Sequence, residues 1–125
     1  MARVLVVDDD DDIRDVLRRV LEGAGHDVAS ASDGRDALRQ VRSEGTDVVI
    51  LDILMPVKEG IETLQELLVE FPKLGVLAMS GGGLLPSDDY LSSARLFGAA
   101  RSLAKPFDLE ELLQAVDDLF DPARG

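Results

Sequence analysis

The amino-acid sequence predicts an α/β fold, a (βα)5 chain whose doubly wound parallel sheet of five strands carries helices on both faces. Three observations predict it. Short apolar runs alternate with segments of helical period along the chain. Three of those runs are continuously apolar, as strands buried on both faces must be. And 125 residues suffice for one core and little else.

The elements follow in order. The run at 4–7 is the first strand and passes into Asp8 and Asp9. Ile13, Val16, Leu17, Val20 and Leu21 recur at helical spacing, and Asp10, Asp11 and Asp12 before them suit a helix N-terminus, where acids cap the chain and offset the dipole. The second strand, at 27–29, is short and interrupted, which places it near an edge. His26 opens it beside a turn at Gly23 to Gly25 and reads as a surface residue, neither ligand nor base. Ala37, Leu38 and Val41 mark a shorter helix begun by Ser32 or Asp33. The third strand, at 48–51, runs into Asp52. Ile61, Leu64, Leu67, Leu68 and Phe71 then form a helix that Pro72 ends. The fourth strand, at 76–79, leads to Ser80. Ser87 can cap a helix carrying Leu91, Ala94 and Phe97 that Gly98 closes. A weak fifth strand at 103–104, another edge candidate, precedes Lys105. The last helix carries Leu109, Leu112, Leu113, Val116, Leu119 and Phe120.

Composition excludes several functions. Acidic residues outnumber basic ones 25 to 13, a formal charge of -12 that repels phosphate backbones, so nucleic acid is not expected as a partner. With no Cys there are no disulfides, thiolate nucleophiles or cysteine metal sites. The N-terminal apolar run is far too short for a signal peptide or a membrane span, and a cytoplasmic location is the simplest expectation.

In an open α/β sheet, ligands bind beyond the carboxyl ends of the strands. Asp8, Asp9, Asp52, Ser80 and Lys105 all fall at that end. Carboxylates brought together repel one another, and a hard divalent cation bound through oxygen relieves this; Mg2+, which completes its shell with water and phosphate oxygens, is the expected ion and a phosphoryl group the expected substrate. Competing motifs fail. An EF-hand over residues 8–19 has Ile13 where Gly is needed and Arg19 where Glu is needed. Gly81-Gly82-Gly83 lacks the Lys and Ser/Thr that follow in a P-loop and reads as a flexible loop.

The segments Arg3-Val4-Leu5-Val6-Val7-Asp8-Asp9 and Val48-Val49-Ile50-Leu51-Asp52-Ile53-Leu54-Met55-Pro56, with Gly60, Ser80 and Lys105-Pro106-Phe107, resemble the receiver domains of bacterial two-component response regulators, in the family's order and over almost the whole chain. The resemblance implies a flavodoxin-like sheet of order 2-1-3-4-5; because the tail at 121–125 after the last helix cannot hold an effector domain, a single stand-alone domain over 1–125, with its core at about 2–120, is the expectation. It implies that Asp52 accepts a phosphoryl group from the phosphohistidine of a sensor histidine kinase or histidine phosphotransfer protein. Asp9 and Asp52 are then direct Mg2+ ligands, Asp8 acts partly through water, and the Leu54 carbonyl adds an oxygen. Ser80 contacts the phosphoryl oxygens and Lys105 pairs with them, across a cis bond to Pro106. Output goes to another protein, from a monomer or weak dimer.

The chain departs from the family pattern at Ser102, where many members carry an aromatic that swings inward, at Val57, where Gly is common, and in a longer loop at 81–87. Without that aromatic, the expected output segment is Gly81-Gly82-Gly83 leading into Leu84 and Leu85. Two other readings compete. A haloacid-dehalogenase-type phosphatase also uses an aspartate after strand one, a Ser/Thr, a Lys and Mg2+, but it wants Thr or Val at Asp12 and has no need of Asp52. A receiver-like adaptor that no longer takes phosphate has no support while all five site residues are present.

Overall fold

The computed structural model describes residues 2–53, 57–80, 98–104 and 108–120. Their elements are β1 (Arg3–Val7), α1 (Asp11–Gly23), β2 (Asp27–Ala31), α2 (Gly34–Glu44), β3 (Val48–Asp52), α3 (Val57–Glu70), β4 (Gly75–Ser80), β5 (Arg101–Ala104) and α4 (Leu109–Leu119). All five strands are parallel, in the order β2-β1-β3-β4-β5, so the two weak runs do lie at the edges. The helix expected over 87–97, the loop at 81–87 with Leu84 and Leu85, and the Lys105–Pro106 bond lie outside the described residues.

The central strands read as unbroken apolar runs because both of their faces are covered. Leu5, Val7, Val49, Leu51, Val76 and Ala78 point to one side, against Ala37, Leu38 and Val41 of α2 and Leu64 and Leu67 of α3. Val4, Val6, Val48, Ile50, Leu77 and Met79 point to the other, against Leu17 and Leu21 of α1 and Leu112, Val116 and Leu119 of α4. Each core layer fills with aliphatic side chains in alternate register, the arrangement a doubly wound sheet requires.

Helix ends follow local chemistry. Asp10 caps α1, its carboxylate accepting the Asp12 and Ile13 N–H groups, while Asp11 and Asp12 occupy the first turn. Those three acids therefore have the helix-terminal role expected of them. Asp33 rather than Ser32 caps α2, accepting from the Asp36 N–H at 2.8 Å. Asp108 caps α4. Val57 opens α3, which ends at Glu70 two residues before Pro72.

Four details differ from the sequence reading. β2 extends to Ala31 and β5 starts at Arg101, because an edge strand is solvated on one side and its polar residues hide the pattern. In α1 the buried contacts come from Leu17 and Leu21, and Val16 is 52% exposed, since it lies about a quarter-turn off the stripe facing the sheet. His26 is not a surface residue. Its ring is only 6% exposed, Nδ1 accepts the Ala2 N–H at 3.0 Å, and Nε2 lies 3.7 Å from the Asp117 carboxylate of α4. The turn preceding it looked solvated, but the start of β1 and the end of α4 close over the ring.

Candidate functional site

The site lies at the carboxyl ends of β1 and β3. Asp8 follows β1 directly and is buried, its N–H donating to the Ala31 carbonyl at 3.2 Å and its carboxylate accepting the Asp10 N–H at 2.9 Å. Asp9 turns outward to solvent. Asp52 is the last residue of β3, also buried, opposite Met79 of β4, and the Ile53 N–H beyond it donates to the Met79 carbonyl at 3.0 Å. Adjacent parallel strands ending at the same level bring the acids together: ligand atoms of Asp8, Asp9 and Asp52 all lie within 4.8 Å of one another.

Gly60 keeps this strand end in place. A Cβ there would sit 2.6 Å from the Cα and carbonyl oxygen of Ile53, so α3 approaches the chain beyond Asp52 as closely as backbone permits. Ser80 ends β4, the strand next to β3, paired with Ala104 of β5. Lys105 and Leu54 lie outside the described residues. Ser102, in place of the family's aromatic, sits half-buried in β5 opposite Ala78.

The donor set fits a hard divalent cation. It consists of carboxylate oxygens, two of the three groups buried, with no imidazole or thiolate to favour a softer metal. Like charges this close repel by about 3.5 kcal/mol or more per pair at an effective dielectric of about 20, and a divalent ion reverses that sign.

One residue beside the site went unnoticed in the sequence. Arg14, on the second turn of α1, donates from Nη1 to the Asp8 carbonyl at 2.6 Å and from Nη2 to the Asp11 carboxylate. The only sequence signal was helical spacing from Asp10 and Asp11, which many surface arginines share.

Comparison with known proteins settles the family. The profile described as "Response regulator receiver domain" matches residues 4–117. The chain belongs to the response regulator receiver domain family. This receiver domain is 40% identical over 112 residues to "Response regulator MprA" of Mycolicibacterium vanbaalenii, covering 90% of this chain and 47% of that protein. It is 35% identical over 114 residues to "Sporulation initiation phosphotransferase F" of Bacillus subtilis, covering 91% of this chain and 90% of that protein. Among solved structures, a response regulator receiver domain protein from Clostridium thermocellum superimposes with a TM-score of 0.88 at 29% identity, covering 99% of this chain and 98% of the other. The receiver domain thus spans about half the length of MprA and most of the length of the sporulation protein. Its fold and acidic cluster are those of phosphorylation-activated switches in two-component signalling, which bind Mg2+ at such a cluster. Among the described residues no helix is long and apolar enough to cross a membrane.

Proposed function

We propose that this receiver domain takes a phosphoryl group onto Asp52 from the phosphohistidine of a sensor histidine kinase or a histidine phosphotransfer protein, and passes the signal on by protein contact. The observation that carries the reading is the convergence of Asp8, Asp9 and Asp52 within 4.8 Å at the carboxyl end of the sheet. The ligands for Mg2+ in this reading are Asp9 and Asp52 directly, Asp8 partly through water, and the Leu54 carbonyl. When bound, the ion neutralises charge on the transferred group and orients its oxygens.

The chain's own residues then have defined tasks. A carboxylate oxygen of Asp52 forms a bond to phosphorus as the phosphorus–nitrogen bond to the donor imidazole breaks, and the departing nitrogen keeps the electron pair. The Ser80 hydroxyl donates to a phosphoryl oxygen and Lys105 pairs with another. Phosphorylation adds about -1.5 to -2 charges, and each charge-assisted bond contributes about 1.5–3 kcal/mol. Two together contribute about 3–6 kcal/mol, whose upper end reaches the roughly 5.5 kcal/mol that turns a 1:99 equilibrium into 99:1. The match as a receiver over residues 4–117 supports this reading over a dehalogenase-type phosphatase, in which Asp8 would be the nucleophile.

Incubating the protein with a small phosphoramidate and Mg2+, followed by intact-mass measurement, tests the assignment. One added phosphate is expected for the wild type and none for Asp52→Asn. A Mg2+-dependent phosphate on Asp52→Asn that disappears in Asp8→Asn would favour the phosphatase-type nucleophile instead.

A further inference from the structure

We infer that Arg14 is a positioning residue for the acidic pair after β1, setting the directions of Asp8 and Asp9 through the main chain between them; this rests on reading the cluster as a Mg2+ site. The Arg14 side chain is only 18% exposed, although it grows from the solvent-facing start of a helix. Its Nη1 donates to the Asp8 carbonyl at 2.6 Å while Nη2 holds the Asp11 carboxylate. That carbonyl belongs to the peptide unit joining Asp8 to Asp9. A peptide unit is planar, so fixing its oxygen fixes the plane from which both Cα atoms project their carboxylates.

Asp8 is consequently tethered at three atoms. Its N–H reaches Ala31 at 3.2 Å, its carboxylate accepts the Asp10 N–H at 2.9 Å, and its carbonyl accepts from Arg14. Asp9 is exposed, so the peptide it shares with Asp8 is the part of its geometry that the fold controls most directly. The Arg14 backbone adds to the same brace, its N–H donating to the Asp10 carbonyl at 3.1 Å. Bridging a carbonyl and a carboxylate at once calls for a planar fork. Lysine, a single point donor on a flexible stem, cannot reproduce it.

Charge and positioning make opposite predictions here. A cation held against the Asp8 carbonyl disfavours a second cation at the neighbouring acidic cluster, so if its charge alone mattered, its loss would tighten Mg2+ binding. If it positions the ligands, its loss weakens binding, by about tenfold or more where a group orienting metal ligands is removed.

The experiment is calorimetric titration of Mg2+ into the metal-free wild type, Arg14→Met and Arg14→Lys, with thermal melting of each in chelator. Positioning predicts a Kd raised about tenfold in both variants, Lys giving no rescue, with metal-free melting temperatures within a few degrees of the wild type. Tighter binding by Arg14→Met with Arg14→Lys equal to the wild type would overturn the inference in favour of a charge effect. Unchanged Kd values with lowered melting temperatures would overturn it in favour of a purely structural role. The Lys variant keeps the buried aliphatic stem and serves if the Met variant fails to fold. Absence of Mg2+ binding by the wild type would instead overturn the metal reading beneath the inference.

Discussion

The two ends of the sheet are built on opposite electrostatic rules. At the amino end, charged and polar groups meet complementary partners. The Arg3 N–H donates to the Asp47 carboxylate at 2.9 Å, the Arg3 guanidinium reaches the Glu44 carbonyl, and the Ala2 N–H donates to His26. Asp47 also donates its own N–H to the Arg3 carbonyl at 2.9 Å, tying the start of β3 to that of β1. At the carboxyl end the same strands deliver Asp8, Asp9 and Asp52 to one spot. The amino end holds the fold together. The carboxyl end gathers like charges whose mutual repulsion a bound cation would relieve, the pattern expected where function outweighs local stability.

This contrast can be broken by equivalent substitutions at the two ends. The largest effect is expected from His26→Ala, which orphans the buried Ala2 N–H and opens a cavity; unfolding by denaturant should show a loss of about 3 kcal/mol. A loss under about 0.5 kcal/mol would mean that the amino end is not held as described. Next comes Mg2+ itself. At a concentration about 100 times its Kd it should stabilise the wild type by about 2.7 kcal/mol, visible as a rise in melting temperature. The rise should shrink markedly in Asp9→Ala.

A smaller effect separates the ends most cleanly. In metal-free buffer Asp52→Asn should raise stability by about 1–2 kcal/mol, because one of the mutually repelling charges is gone. Asp47→Asn should lower stability by about 1 kcal/mol, since it weakens a charge-assisted bond to the Arg3 N–H. Denaturant midpoints of the two variants should therefore move in opposite directions, and movement in the same direction would erase the distinction.

The smallest effect concerns pH. Glu70 is held below the usual carboxylate range chiefly by the hydrogen bond from Arg42, and Asp118 by hydrogen bonds from Gln114 and then Arg101. A carboxylate depressed in the folded state stabilises it above the unfolded value near pH 4, and that contribution disappears as pH falls through the folded value. Melting temperature should thus decline more steeply below about pH 4 in the wild type than in Arg42→Ala. Both partners are at the surface, so added salt should reduce the difference.

Much of this architecture is legible in one dimension because its causes are local. Apolar runs at 4–7, 48–51 and 76–79 match β1, β3 and β4 to within a residue or two, since a strand covered on both faces has no polar positions to interrupt it. Asp10 and Asp33 announce helix starts because a cap acts over only two or three residues. Proximity of Asp8, Asp9 and Asp52 followed from a topological rule about where parallel strands end.

Other features belong to tertiary structure alone. Whether His26 is buried depends on Ala2 and Asp117, residues just before the first strand and near the end of the last helix, and no pattern around position 26 encodes their approach. The extra residues of β2 and β5 exist through ladder partners, Val6 and Val7 for Ser30 and Ala31, Leu77 and Ala78 for Arg101 and Ser102. Arg14 shares its helical spacing with ordinary surface arginines, and only folded geometry turns its guanidinium toward the Asp8 carbonyl. Periodicity and capping act along the chain and so are written in it, whereas the partner a side chain meets across the fold is decided by packing.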